Sequence, residues 1–187
     1  HLVSAIGSLF GGHNTLNFEH VFSCEFDEQK QEFLLKNYEM DHLFSDVTQL
    51  GRRRAWDVKN QSVQDVPGDI DVFVAGFSCK DLSFMNSYRK TLEEMGQSGA
   101  TLRGSLDYIE RYTPRVVLLE NVYAIDRADQ HGLKQVNIVM EGLRARGYVA
   151  GYKLCNSCDY YVPQVRHRIW MWGFRVDADA AVTFRAG

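Results

Sequence analysis

An apolar run that ends in glycine and opens onto polar sequence is the feature that most constrains the fold of this chain. Residues 72–75 read Val-Phe-Val-Ala, and they are followed by Gly76 and then by Cys79. Such an unbroken run is typical of a strand that is covered on both faces, as in parallel sheets. Ligand sites of these sheets lie beyond the carboxyl ends of the strands, so the sequence predicts Cys79 at a site. The alternative is a buried, inert cysteine that packs as a small apolar side chain.

Strand-like and helix-like segments alternate along most of the chain. The first unit is a strand over 18–24 that ends at Glu25, followed by a helix over 28–38 for which Asp27 is a good N-cap. This alternation predicts an α/β fold with a mostly parallel sheet. Polar loops are expected over 52–68, with a helical turn, and over 80–99. The other predicted segments are helices over 2–10, 102–112 and 133–146, a turn over 11–14, and strands over 43–47 and 115–120.

The last part of the chain departs from this alternation. Segments 148–154 and 169–174 are both strand-like, and no helix-length segment lies between them. Pro114 and Gly147 end the two helices that precede this region. The sequence therefore predicts an antiparallel pair that closes the sheet.

Composition narrows the class of protein. With 187 residues, of which 45% are hydrophobic, the chain is long enough for one domain with a real core. The 21 basic and 24 acidic residues leave a net charge of -3, so any contact with nucleic acid must be local. No run approaches the roughly 20 apolar residues that span a bilayer, and no signal segment is visible. We expect an intracellular protein with no membrane partner, nuclear if the source is a eukaryote.

The four cysteines predict reduced thiols, because disulfide scaffolds are typical of smaller secreted chains. Cys155 and Cys158 form a C-x-x-C, which is a redox or zinc pattern in some proteins. No second C-x-x-C and no spaced histidine pair completes a tetrahedral set. The sequence therefore predicts no metal.

Three short motifs lie at predicted strand edges: Gly-Phe-Ser-Cys at 76–79, Glu-Asn-Val at 120–122 and Gln-Val-Arg-His-Arg at 164–168. Their order and separation resemble the cytosine-C5 DNA methyltransferase family, whose motifs are Pro-Cys-Gln, Glu-Asn-Val and, after a proline matched here by Pro163, Gln-x-Arg-x-Arg. The resemblance covers residues 18–174. It implies a Rossmann-like fold that depends on S-adenosylmethionine, with one catalytic domain over 1–187 that is truncated at both ends.

The resemblance assigns the catalytic residues. The Cys79 thiolate would add to C6 of a flipped cytosine in DNA, because C5 is otherwise a poor nucleophile. Glu120 would contact the N3 and amino edge of the base while protonated or sharing a proton. Arg166 and Arg168 point to one side if the chain is extended there, which suits the phosphate and the carbonyl oxygen of the target nucleotide. The residues expected on the substrate side are Ser78, Asn121, Val122 and Gln164.

The resemblance also implies a site for S-adenosylmethionine. Glu25 would hold the ribose hydroxyls, and the ring of Phe26 would stack on the adenine. Asp46 matches the acid that recognises the adenine amine. Val47, beside it, and Leu102, near the start of a predicted helix, match apolar residues of the same pocket.

The chain departs from the family pattern in several places. Ser78 replaces the proline before the nucleophile, and Lys80 replaces the glutamine after it. The chain begins at His1 in a helix-like segment, so we expect that the first glycine-rich motif is missing. We expect the same of the target-recognition region and the last motif. We therefore expect that these residues alone are inactive or nearly so.

Four other functions stay open. The first is an RNA cytosine-C5 methyltransferase that acts on transfer RNA, because a branch of the family carries the same motifs. The second is a degenerate domain that binds DNA or protein partners without turnover. A cysteine hydrolase would need a histidine base at a strand tip near Cys79, and none is evident. A zinc deaminase would need Pro-Cys-x-x-Cys and His-x-Glu motifs, which the sequence lacks.

Overall fold

A computed structural model of the chain describes residues 19–77, 97–128 and 132–176, without the side chains of residues 97 and 98. The helix expected over 2–10, the turn over 11–14 and most of the loop over 80–99 lie outside these residues. The strands are β1 (Phe22–Cys24), β2 (His42–Phe44), β3 (Arg54–Asp57), β4 (Ser62–Asp65), β5 (Val72–Gly76), β6 (Val116–Val122), β7 (Tyr148–Asn156) and β8 (His167–Arg175). The α-helices are α1 (Glu28–Asn37), α2 (Gln97–Tyr112) and α3 (Gln135–Arg144).

The strands form two four-stranded sheets, in the orders β1-β2-β3-β4 and β5-β6-β8-β7. Both sheets combine parallel and antiparallel pairs, which confirms the predicted α/β class. The chain divides into two compact units. Of the described residues, those up to Asp46 and Trp56–Gln64 form the first unit, and Val47–Ala55 and those from Asp65 onward form the second. None of the described helices is long and apolar enough to cross a membrane.

The first unit is built on a strand, an acid and a helix, as predicted. Strand β1 pairs in parallel with β2, and the backbone N–H of Glu25 donates to the carbonyl of Phe44 at 3.0 Å just beyond that pairing. Asp27 is the N-cap of α1, because its Oδ1 accepts from the backbone N–H of Lys30 at 3.0 Å. The acid that follows β1 is therefore fixed at the carboxyl end of a parallel pair.

The loop predicted over 52–68 is wrong, because this segment forms β3 and β4. Along β3, Ala55 and Asp57 are buried while Arg54 and Trp56 are exposed. This alternation is the period of a strand, but a carboxylate occupies one of the two buried positions. Strand propensity and hydrophobic patterning do not predict such a strand, because the buried Asp57 is polar and the arginines suggest a solvated surface.

Asp57 is fully buried and organises the turn between β3 and β4. Its Oδ1 accepts from the backbone N–H groups of Leu43, Lys59 and Asn60 at 3.1, 2.9 and 3.2 Å. Its Oδ2 accepts from Nδ2 of Asn60 at 2.6 Å and lies 2.7 Å from Nδ1 of His42. Burial alone would raise the pKa of this carboxyl, but the hydrogen bonds from Asn60, His42 and Leu43 hold the pKa below its ordinary value.

The second unit carries a sheet in which β5 and β6 are parallel, while β8 lies antiparallel between β6 and β7. The predicted antiparallel pair at the end of the chain is thus confirmed. One face of this sheet is buried. Helix α2 packs on that face through Tyr108, whose ring stacks on Phe73 with 4.6 Å between centroids. The apolar residues of these strands that are fully or nearly fully buried include Phe73, Val117, Leu119, Tyr148, Ile169 and Met171.

The opposite face of β5 is open, so the prediction that this strand is covered on both faces is wrong. Val72 and Val74 are 42% and 43% exposed, while Phe73 between them is buried. Strand β5 is the edge strand of its sheet as described, with β6 on one side. A short apolar run fits a half-buried strand as well as a fully buried one, so the pattern could not distinguish them.

The predicted helices that lie within the described residues are confirmed with shifted boundaries. Helix α2 starts at Gln97, before the predicted 102, and ends at Tyr112 as predicted before Pro114. Helix α3, Gln135–Arg144, is shorter than the predicted 133–146. Gly147 has a φ of +83°, which agrees with its predicted role in ending this helical region.

We predict that Asp57→Asn lowers the free energy of unfolding by about 2–3 kcal/mol at pH 7. The side-chain NH2 group of the asparagine would replace one carboxylate oxygen and would face the buried N–H donors that this oxygen now accepts from. The native carboxylate has a lowered pKa, so its contribution is complete above the unfolded pKa of about 4 and disappears as the pH falls through the folded value. Urea unfolding between pH 7 and pH 3 measures both effects.

The matched control for this measurement is Asp65→Asn. Asp65 lies 3.9 and 3.6 Å from Arg53 and Arg54 in exposed ion pairs, so its loss should change stability by less than about 1 kcal/mol. Equal stability of Asp57→Asn and the wild type at pH 7 would contradict the role given to Asp57.

Candidate active site

The carboxyl ends of β5 and β6 and the start of β8 meet at one edge of the second sheet. Gly76 is paired with Glu120 across β5 and β6, and Val122 is paired with Arg168 across β6 and β8. Cys79 follows Gly76 by three positions in sequence, but Ser78 and Cys79 both lie outside the described residues. The predicted acid and the second predicted arginine therefore lie at the edge toward which β5 leads.

Glu120 and Arg168 form a close ion pair at this edge. Arg168 Nε donates to Glu120 Oε1 at 2.7 Å, and the two side chains are 25% and 27% exposed. Arg168 Nη1 also donates to the carbonyl of His167 at 2.8 Å, which fixes the guanidinium from a second direction. A Cβ on Gly76 would lie 3.4 Å from Glu120 Oε2, so the glycine leaves room around the carboxylate. A short, partly shielded pair of this kind is a charge-assisted hydrogen bond with fixed geometry.

Arg166 does not share a strand with Arg168, in contrast to the prediction that both guanidinium groups alternate along one strand. Strand β8 begins at His167, and Arg166 is exposed before it. The N–H of Arg166 donates to Oδ1 of Asn156 at 3.1 Å, and its carbonyl accepts from the N–H of Ser157 at 3.2 Å. The Asn156 side chain thus accepts the hydrogen bond that the backbone N–H of Arg166 would otherwise donate to a neighbouring strand.

Asn121 lies on the opposite face of β6 from Glu120. It is only 2% exposed, and its Nδ2 donates to the carbonyl of Phe77 at 3.3 Å. Its Oδ1 accepts from the N–H of Val122 at 2.7 Å. Asn121 therefore holds the last described residue before Ser78 and Cys79, which is a positioning role. Gln164 is exposed, and its backbone N–H donates to the carbonyl of Val162 at 2.7 Å.

Two of the predicted cofactor acids lie near one thiol in the first unit. Burial, together with the negative charges of Asp46 and Glu25, raises the pKa of the Cys24 thiol to about 12. Both carboxylates are thus close enough to act on Cys24, which stays neutral. The ring of Phe26 is 80% exposed beside them. Acids and a free aromatic face at strand ends suit a polar ligand that carries hydroxyl groups and a flat ring.

The other two predicted cofactor residues lie in the second unit. Val47 begins a 3₁₀ turn, Val47–Gln49, and Leu102 is buried in α2 at 3% exposure. Helix α2 approaches this turn very closely at Gly104, where an added Cβ would lie 2.7 Å from the carbonyl oxygen of Val47 and 2.8 Å from Cα of Thr48. The position of Val47 therefore depends on a glycine in the helix.

The sequence motif Cys155-x-x-Cys158 does not act as a unit in the structure. Cys155 lies in β7 opposite Arg168, and it accepts a hydrogen bond from the hydroxyl of Tyr160 at 3.5 Å. Cys158 is exposed in the 3₁₀ turn that follows. Among the residues that the structure describes, no group of three His, Cys, Asp or Glu side chains is arranged to hold a metal ion.

Sequence reasoning missed two residues of this region. Asn156 links β7 to Arg166, and the only signal for it is the general tendency of asparagine to bond to nearby backbone. Tyr161 adopts a left-handed backbone with φ of 61°, and no pattern predicts that conformation for a tyrosine.

We predict that Gly104→Ala lowers the free energy of unfolding by about 2 kcal/mol, because its Cβ meets backbone atoms that cannot move aside. The matched control is Gly142→Ala in α3, where the new Cβ would meet the flexible end of Leu106 at 3.1 Å. The control should change stability by less than about 1 kcal/mol. Urea unfolding at pH 7 measures both, and a stabilised Gly104→Ala would refute the close approach.

Comparison with known proteins supports one family. A family model described as C-5 cytosine-specific DNA methylase matches residues 1–185. DNA (cytosine-5-)-methyltransferase DMT5 of Cryptococcus neoformans var. grubii is 37% identical over 158 residues, which cover 84% of this chain and 6% of that protein. Type II methyltransferase M.NgoBI of Neisseria gonorrhoeae is 28% identical over 173 residues, which cover 92% of this chain and 49% of that protein.

Solved structures share the fold. The S. pombe Dnmt2 methyltransferase aligns with a TM-score of 0.60 at 12% identity, over 96% of this chain and 49% of its own. A Spodoptera frugiperda DNMT2 mutant aligns with a TM-score of 0.60 at 16% identity, over 100% of this chain and 50% of its own. The chain spans about half the length of these proteins and of the bacterial relative. By the family match and by the fungal relative, the chain belongs to the C-5 cytosine-specific DNA methylase family.

Proposed function

We propose that the protein containing this chain transfers a methyl group from S-adenosylmethionine to C5 of cytosine in DNA. The observation that carries the proposal is the Glu120–Arg168 pair, at 2.7 Å, on the sheet edge toward which β5 leads. Membership of the C-5 cytosine-specific DNA methylase family favours this reaction, and the fungal relative, a DNA (cytosine-5-)-methyltransferase, favours DNA as the substrate.

Cys79 is the proposed nucleophile. Its thiolate adds to C6, so an S–C6 bond forms and the electrons of the C5–C6 double bond become available at C5. C5 would then take the methyl carbon as its bond to the sulfonium sulfur breaks, which leaves S-adenosylhomocysteine. C5 next loses its own proton to a base, and the S–C6 bond breaks to restore the thiolate and the aromatic ring. Because C6 is not accessible inside stacked DNA, the target cytosine must first be flipped out of the duplex.

Glu120 and Arg168 divide two tasks at the cytosine ring. A guanidinium keeps its proton in proteins, so proton exchange at N3 falls to the carboxyl group of Glu120. Two N–H groups of Arg168 are used by Glu120 and by the carbonyl of His167, which leaves other N–H donors for the carbonyl oxygen of the base. The negative charge that develops on the cytosine ring during attack is thereby stabilised by the oriented N–H donors of Arg168 and by the acid Glu120.

The described residues also fit the cofactor. Glu25 and Asp46 supply carboxylates for ribose hydroxyl and adenine amine donors, and the exposed ring of Phe26 is free to stack. The Cys24 thiol stays neutral and adds no further negative charge near these acids. S-adenosylmethionine supplies the electrophilic methyl group when it is bound.

We predict that Cys79→Ala in the natural full-length protein abolishes methyl transfer to duplex DNA, because no S–C6 bond can form. Transfer of labelled methyl groups from S-adenosylmethionine to a cytosine-containing duplex measures this. The matched control is Cys158→Ser, since Cys158 is exposed in a turn and has no assigned role. Retained activity of Cys79→Ala would refute the nucleophile. If the wild type methylates RNA but not DNA, or binds DNA without turnover, the proposed function is wrong.

Glu120→Gln should lower kcat by at least about 100-fold, because the amide cannot exchange a proton with N3. Glu110→Gln is a control of the same chemistry, since Glu110 also pairs with an arginine at 2.7 Å, namely Arg146, but lies away from the edge. Single-turnover methyl transfer separates the chemical step from binding. If both variants keep the wild-type rate, Glu120 does not act on the base.

A further inference from the structure

Tyr161 combines a backbone conformation that favours glycine with a side chain that is fully exposed. Its φ and ψ are 61° and 17°, in the left-handed region, and its relative exposure is 101%. Bulky L-residues avoid this region because Cβ crowds the backbone. A ring that lies in solvent gains no packing that would offset this strain. Strain that persists without such a gain is a feature of binding and active sites.

The backbone around Tyr161 is braced, so the strained conformation is held by its surroundings. The N–H of Tyr161 donates to the carbonyl of Cys158 at 3.3 Å, and the N–H of Val162 donates to the carbonyl of Ser157 at 3.2 Å. The N–H of Ser157 in turn donates to the carbonyl of Arg166 at 3.2 Å. The connection between β7 and β8 therefore presents the Tyr161 ring outward from a closed turn.

This connection extends the edge that carries the proposed catalytic pair. Strand β7 ends, and β8 begins, beside the end of β6, because Cys155 is paired with Arg168 and Arg168 with Val122. The ring of Tyr161 thus lies on the loop that leads within a few residues to Arg168, whose guanidinium binds Glu120.

Basic and aromatic groups alternate on this part of the edge. Arg166 and His167 follow the turn directly, and the ring of His167 lies 6.4 Å from that of Tyr123. The guanidinium of Arg127 lies over the Tyr123 ring, 5.2 Å from its centroid. Asp159 is the acidic residue within the connection. Cations interleaved with exposed rings are typical of surfaces that follow a nucleic-acid backbone and stack on its bases.

We propose that Tyr161 stacks on a nucleobase of the DNA beside the flipped cytosine. The inference rests on the proposed function, because DNA at this edge is what brings a base within reach. A base that has lost its stacking neighbour presents an apolar planar face, which matches a rigid aromatic ring held in solvent. Arg166, which follows Tyr161 by five residues and is exposed, would meet a phosphate of the same strand.

Three variants of the natural full-length protein test the role of Tyr161. Tyr161→Gly removes the ring and relieves the backbone, so it should be at least as stable as the wild type in thermal unfolding but bind duplex DNA about tenfold more weakly. Tyr161→Phe keeps a stacking face and should keep the affinity. Gln61→Gly is the control, because Gln61 is also exposed with a positive φ, of 49°, in the turn between β3 and β4. It should not change DNA binding.

Fluorescence anisotropy with a labelled cytosine-containing duplex, at several salt concentrations, measures these affinities. Because Tyr161→Gly removes no charge, the slope of log affinity against log salt should stay unchanged, whereas Arg166→Gln should reduce it by about 1. If the wild type methylates DNA and Tyr161→Gly binds the duplex as tightly as the wild type, the stacking role of Tyr161 is wrong and the proposed function is unaffected. If the wild type neither binds nor methylates DNA, both fall.

Discussion

Hydrogen bonding along both edges of β6 fixes the geometry of the candidate site. This strand pairs in parallel with β5 and antiparallel with β8, which places Glu120 beside Gly76 on one side and Val122 beside Arg168 on the other. Successive residues of a strand face opposite sides of the sheet, so a slip of one residue would turn the carboxylate of Glu120 into the buried face. The ion pair with Arg168 exists only in the observed register.

The same alternation assigns different tasks to neighbouring residues. Glu120 faces the half-open side, where it meets Arg168, and Asn121 faces the buried side, where it holds the carbonyl of Phe77. One segment of β6 thereby orients the acid and anchors the strand that leads to Cys79. The connection between β7 and β8 extends the edge with the braced, exposed ring of Tyr161. The residues proposed to react with the base, to position the loop and to contact DNA thus lie along one border of the second sheet.

Much of this arrangement could be predicted from the sequence, and the exceptions have physical causes. The strand-to-helix unit at Asp27 and the antiparallel closing pair follow from local patterns that tertiary structure did not override. The hairpin of β3 and β4 was missed because its buried position holds Asp57, whose five hydrogen bonds replace the usual apolar contacts. Such a site is polar in sequence and buried in structure.

The candidate site shows the same division. The apolar run before the Glu-Asn-Val motif predicted a strand that ends at Glu120, whereas β6 continues for two more residues, to Val122. The arginine alternation failed at Arg166, because its backbone N–H donates to the Asn156 side chain and strand β8 begins only at the next residue, His167. The left-handed backbone of Tyr161 follows from the closed turn around it, which no local pattern encodes.

The central claim is that the edge formed by β5, β6 and β8 brings a cytosine ring to Cys79. A duplex with 5-fluorocytosine at the target tests it most directly. Fluorine takes the place of the C5 hydrogen that must be removed as a proton before the S–C6 bond can break, so the covalent complex is trapped. The natural full-length protein would be incubated with this duplex and S-adenosylmethionine, digested and mapped by mass spectrometry. The account predicts one adduct, on the peptide that carries Cys79. An adduct on Cys24, Cys155 or Cys158, or methylation of ordinary cytosine with no trapped complex, would contradict it.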